Sequence, residues 1–175
     1  PGFGKEGTDG EGSGVIGDWL PDEAIGLDFE AADWEDAVRE AGRLLVATGA
    51  ARPGYVDAMV ETVRTLGPYI VIAPGIAMPH ARPEAGALRA GLSFVRLHRP
   101  VAFGHETNDP VDLVFGLAAT GSDAHVEMLA GLAEALGDAG RLARLRAART
   151  PGEVRAILDG DGTESGRAAT PPARP

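Results

Sequence analysis

Four histidines and no cysteine set the chemistry open to this chain. Without cysteine there is no disulfide, no thiolate metal ligand and no Cys nucleophile. His80, His98, His105 and His125 are 18, 7 and 20 residues apart, which matches no compact metal-ligand spacing. His80 is the most informative of them. It lies in APGIAMPHARPE, where Pro74, Gly75, Pro79 and Pro83 exclude regular helix and central strand. Loops pinned on a rigid scaffold are frequent carriers of function. Rigid prolines on both sides argue that the position of this ring is being fixed. Arg82 and Glu84 follow within four residues. His125 falls in the first turn of a helix that follows an apolar run at 111–119. Ligands of open α/β sheets collect beyond the carboxyl ends of strands, and a helix start favours anions. The same helix start disfavours imidazolium, so His125 is expected to be neutral. Arg64 ends a helix close to the turn that leads toward His80, although a helix-end cation explains it equally well. Glu84 reads either as a site acid or as a solvated one. His98 and His105 read as surface residues.

Other chemistries find no support. There is no GxxxxGK[ST], no GxSxG, no HExxH and no paired-carboxylate arrangement. A formal GxGxxG at Gly2, Gly4 and Gly7 has neither a strand before it nor a helix after it. Two histidines and an arginine leave one economical idea: an imidazole acts as the nucleophile and receives a group that suits arginine and helix N-termini. Phosphoryl is that group.

Elements to position these residues are legible from periodicity. A helix is expected over 33–48, with Asp33 as N-cap, Trp34, Val38, Ala41 and Leu45 on its apolar stripe, and Gly49 at its end. A second is expected over 55–66, with Tyr55, Met59, Val63 and Leu66 as its apolar stripe and Gly67-Pro68 as terminator. Residues 69–72, 91–97 and 111–119 read as strands, the last covered on both faces. Helices are expected over 122–136, capped by Ser122 or Asp123, over 139–148, and after a capping-box pattern at Thr150–Glu153. Residues 73–84 are expected to be an ordered loop or an irregular edge. The pattern predicts a single α/β domain, a small mixed sheet sandwiched between helices.

At 175 residues the chain suits one domain with ragged ends. Residues 1–18 read as a flexible acidic, Gly-rich arm, 19–158 as the domain and 159–175 as a flexible Pro/Ala-rich tail. The formal net charge is -10. It belongs to the front: residues 1–40 hold 12 acids against Lys5 and Arg39, whereas the remainder has 14 acids and 14 arginines. No basic footprint for nucleic acid is present. No apolar run approaches the roughly 20 residues of a membrane span. Nothing at the acidic start reads as a targeting signal, and a cytoplasmic location is expected.

The runs PYIVIAPGIAMPHARPEAGAL and FGHETNDPVDLVFGLAATGSDAH resemble the mannitol/fructose-type enzyme IIA domain of the bacterial sugar phosphotransferase system, closest to its L-ascorbate-type branch. The likeness spans residues 19–158, and MPHARPE is its most specific block. The resemblance implies that His80 is phosphorylated on Nε2 by the phosphohistidine of the carrier protein HPr. It implies that His125 hydrogen-bonds the phosphoryl group, that Arg64 supplies a basic residue beside the site, and that Glu84 is the acid four residues after the active histidine. The onward acceptor is a Cys of enzyme IIB, expected on a separate polypeptide or else outside these 175 residues, and the membrane component IIC selects the sugar. No cofactor and no metal are implied. The family fold is a mixed sheet flanked by helices. Ile76 and Met78 are expected to form an apolar rim around His80 that suits a protein partner. Two other readings stay open: a regulatory module of the same fold whose phosphorylation state a partner reads, and an interaction domain without phosphorylation.

Overall fold

The computed structural model describes residues 16–160. The readings of residues 1–15 and 161–175, including the GxGxxG, lie outside them. Five strands, β1 (Ile25–Phe29), β2 (Val71–Ala73), β3 (Ile76–Ala77), β4 (Gly91–Val101) and β5 (Val111–Ala118), form one mixed sheet in the order β1-β4-β5-β3-β2. β1 is parallel to β4 and β3 to β5, while β4–β5 and β2–β3 are antiparallel. The helices are α1 (Trp34–Ala47), α2 (Gly54–Leu66), α3 (Ser122–Leu136), α4 (Ala139–Ala147) and α5 (Pro151–Asp159).

Period-two alternation sorts the central strand β5 onto two cores. Leu113, Phe115 and Leu117 pack with Met128, Leu132, Leu145 and Val154 of α3, α4 and α5. Val114 and Ala118 pack with Val38, Leu45, Tyr55 and Met59 of α1 and α2. The sheet is therefore sandwiched between helices. Helix ends follow their sequence signals closely. The Asp33 carboxylate accepts from Asp36 N at 2.9 Å, and Thr150 Oγ1 accepts from Glu153 N at 3.1 Å. The Glu153 carboxylate reaches back to Arg149 N rather than to the N-cap amide. Gly67 ends α2 with φ 83°, a conformation in which only glycine is unstrained, and turns the chain toward β2.

Expectations about the path of the chain change in two stretches. Residues 73–84 contain β3, which sits inside the sheet between β5 and β2 and not in a loop or at an edge. Its prolines flank the pairing residues: Pro74-Gly75 forms the turn and Pro79 follows the strand, so Ile76 and Ala77 keep their ladder. The ordered domain also begins before residue 19. Ile16 is buried in the core, and Gly17 N donates to the Asp159 carboxylate at 2.9 Å. One isoleucine in a Gly-rich stretch is too little for composition to register as core.

Candidate functional site

The β2–β3 hairpin carries the chain into Met78-Pro79-His80, and every side of that segment is held. Met78 N donates to Ile70 O at 2.8 Å. Pro79 has no N–H, but its carbonyl accepts from Leu117 N at 3.1 Å, and His80 forms a parallel bridge with Leu117. Ala81 N donates to the Tyr55 hydroxyl at 3.0 Å. Beyond it, the short 3-10 turn Pro83–Ala85 leads to Gly86, whose carbonyl accepts from Arg52 N at 2.8 Å.

The half-buried His80 ring has its Nδ1 2.9 Å from Met78 O. A carbonyl can only accept, so Nδ1 carries a proton, and in the neutral ring Nε2 keeps the free lone pair. Backbone geometry thereby selects the nucleophilic nitrogen. The His125 ring stands 5.8 Å away, centroid to centroid, at 62°, and the Tyr69 ring 6.1 Å away at 80°.

His125 arrives from the other side. β5 ends at Ala118, and after Ala119–Gly121 the chain enters α3. The N-cap is Gly121, not Ser122 or Asp123, and it provides no side-chain oxygen to the first-turn amides. Those amides stay available to an anion. His125 is the fourth helical residue. Its pKa is lowered, first by burial and second by the charge of His80. The sequence argument anticipated the direction but assigned it to the helix end.

A cleft of about 870 Å³ holds both rings. Its walls are one face of α2 (Ala58, Glu61, Thr62, Thr65, Leu66), Tyr69, residues 80–85, Leu117, and residues 119–122. The structure thus brings together His80, His125 and Glu84. Arg64 is not part of the wall: its guanidinium pairs with Glu35 on α1 and approaches Glu61. Positions 58, 61, 62 and 65 share the cleft face of α2, and position 64 turns away from it. The positive side chain that lines the cleft is Arg82, exposed and with no hydrogen-bond or ion-pair partner for its guanidinium among the described residues. Ile76 and Met78 are core residues, not rim. The exposed apolar rim is Leu66 and Tyr69, 65% and 46% accessible. His98 is exposed, 4.0 Å from Glu30. His105 is half-buried and not the plain surface residue expected: its Nδ1 accepts from Thr107 N and Asn108 N at 3.2 and 3.0 Å. Among the described residues no cluster of three His, Cys, Asp or Glu could hold a metal ion. Tyr55 escaped the sequence reading because it sits on an apolar stripe. The available signal was its hydroxyl, which must find a partner once buried.

A sheet between helices that presents two imidazoles and a bare helix start in one cleft is the architecture of a phosphotransferase-system IIA domain. The chain belongs to that family: the model for "Phosphoenolpyruvate-dependent sugar phosphotransferase system, EIIA 2" matches residues 18–160. It is an EIIA component of a sugar phosphotransferase system. Its sequence is 42% identical over 137 residues to the ascorbate-specific EIIA component of Salmonella choleraesuis, covering 78% of this chain and 89% of that one. The solution structure of the mannitol-specific cryptic enzyme IIA of Escherichia coli is similar with a TM-score of 0.75 and 32% identity, over 83% and 99% of the two chains. The mannitol enzyme IIA of E. coli, in complex with phosphorylated enzyme IIB, gives 0.72 and 35%, over 81% and 97%. Among the described residues no helix is long and apolar enough to cross a membrane.

Proposed function

We propose that this chain is a cytoplasmic phosphocarrier that accepts a phosphoryl group from phospho-HPr on His80 Nε2 and passes it to a Cys of enzyme IIB. The transporter it serves takes L-ascorbate or a related sugar acid, as the name of its 42%-identical relative suggests. The observation that carries the reading is the Nδ1 hydrogen bond to Met78 O, which leaves Nε2 as the free nucleophile. The acceptor lies outside these 175 residues, which contain no Cys. An enzyme IIA of this fold is known in complex with phosphorylated enzyme IIB.

In the first transfer the Nε2 lone pair forms the N–P bond as the donor's P–N bond breaks, and the donor nitrogen keeps that pair. The His80 ring becomes cationic, and its Nδ1–H donates more strongly to Met78 O. Phosphoryl transfer asks for alignment and charge stabilisation. Open amides at the start of α3 and the Arg82 guanidinium offset the phosphoryl charge, while Glu84 faces the same cleft. A neutral His125 donates a hydrogen bond without adding charge, so the group is held but not trapped. Onward transfer reverses the bookkeeping: an S–P bond forms, the N–P bond breaks, and His80 returns neutral. The Leu66–Tyr69 rim offers apolar surface to a transient protein partner.

The test is labelling from phosphoenolpyruvate with enzyme I and HPr. His80→Ala takes up no label, and His125→Ala slows transfer by about 100-fold, the scale of one lost transition-state donor. Arg82→Ala slows it by roughly tenfold or more, whereas Arg64→Ala stays within about twofold because its ion pair is exposed and outside the cleft. Wild-type labelling of His80→Ala overturns the assignment.

A further inference from the structure

One buried hydroxyl joins the three segments on which both histidines depend. Tyr55 lies at the start of α2 and is fully buried. Its oxygen lies 2.7 Å from Leu117 O, 3.1 Å from Ala81 O, and 3.0 Å from Ala81 N. Burial raises its pKa, so the group remains a neutral phenol with one proton to give. That proton goes to a carbonyl, the shorter contact being Leu117 O, and the lone pair receives the Ala81 amide. The hydroxyl therefore ties α2 at once to the residue after His80 and to the end of β5. β5 runs directly into the turn that starts α3 and sets His125. Leu117 is also the residue that bridges His80 and donates to Pro79 O.

The geometry points to Tyr55 as a positioning residue for phosphoryl transfer: its hydroxyl sets the spacing of the His80 and His125 rings. This rests on the relay reading of the site. The phenol touches neither ring and does no chemistry. It closes a loop of hydrogen bonds whose other links are main chain, and thus the one link a side-chain substitution can cut. Losing it takes the partner from a part-buried amide and a buried carbonyl beside the nucleophile, and the His80 segment relaxes away from Leu117. Misplacement of reacting groups by about 1 Å costs on the order of 100-fold in rate.

Tyr55→Phe keeps the ring in its core slot and removes only the hydroxyl. In the labelling assay, kcat is expected to fall by about 10- to 100-fold while KM for phospho-HPr stays within about twofold, because the cleft rim is intact. The imidazole nitrogen resonances of unphosphorylated His80 and His125 are expected to shift, a readout that needs no partner protein. A wild-type kcat overturns the proposal, and so does a slowed variant whose imidazole resonances are unmoved. If the variant does not fold, hydrogen exchange of the wild-type Ala81 amide decides: core-like protection supports the clamp, and exchange at the open-chain rate overturns it. Label on His80→Ala would instead defeat the relay reading, which the resonance comparison does not require.

Discussion

At the scale of a residue, the imidazole pair has a thermodynamic signature. His125 titrates below its ordinary value of 6.5, chiefly through burial and secondarily through His80. The unfolded chain therefore binds more protons than the folded one in the window just under 6.5. His125 costs no stability above that value. Its cost grows as pH falls from 6.5 toward the depressed folded pKa, and is constant below it. Thermal midpoints across this range should fall more steeply for the wild type than for His125→Gln; parallel slopes would contradict the assignment of the shift. Sequence reasoning reached both histidines because each stands at a recognisable break, a proline loop or a helix start. It reached Arg64 by its number along the chain, yet direction on a helix decides what a side chain meets. Three residues past the cleft-lining Glu61, Arg64 projects to Glu35 instead. Arg82 stands two residues after His80 and Tyr55 carries a hydroxyl on an apolar stripe, but only three-dimensional proximity shows what each side chain meets.

Between elements, α1 comes close to the sheet at Gly116. Gly116 of β5 lies opposite Ser93 of β4, and Ser93 Oγ donates to Ala41 O of α1 at 2.7 Å in a fully buried setting. A Cβ on Gly116 would stand 2.3 Å from Ser93 Oγ and 3.2 Å from both Ala41 Cβ and Ala41 O. Gly116→Ala must therefore displace the hydroxyl or push α1 outward. Loss of the buried hydrogen bond plus overpacking is expected to cost about 2–4 kcal/mol in chemical denaturation, and a change below about 0.5 kcal/mol would show that α1 yields freely. Element boundaries were largely legible: α3 runs over the predicted residues, and Asp33 and Thr150 cap as expected. The two-residue β3 was not, since its prolines argue against a strand and only pairing with β5 overrides them. Gly121 as N-cap was missed for a related reason: Ser122 and Asp123 are better cappers by type, but the chain enters the helix one residue earlier.

Across the whole molecule, the two ends of the described fold clasp each other. Gly17 N binds Asp159, while Arg155 donates to Asp22 and to Gly17 O, and Ile16 and Leu20 share a core with Val154, Ile157 and Leu158. Removal of residues 1–15 leaves this set whole and should preserve the thermal midpoint. Removal of residues 1–18 strips a buried isoleucine and the Asp159 partner, and should cost about 2 kcal/mol or more; equal midpoints for the two truncations would refute the clasp. At the site itself, the hydrogen bond that picks out one nitrogen of His80 is accepted by the main chain of residue 78. Any side chain that fits the slot leaves that selection in force. Regiochemistry is thus inherited with the path of the polypeptide, and drift at position 78 can retune packing without ever redirecting where the phosphorus lands.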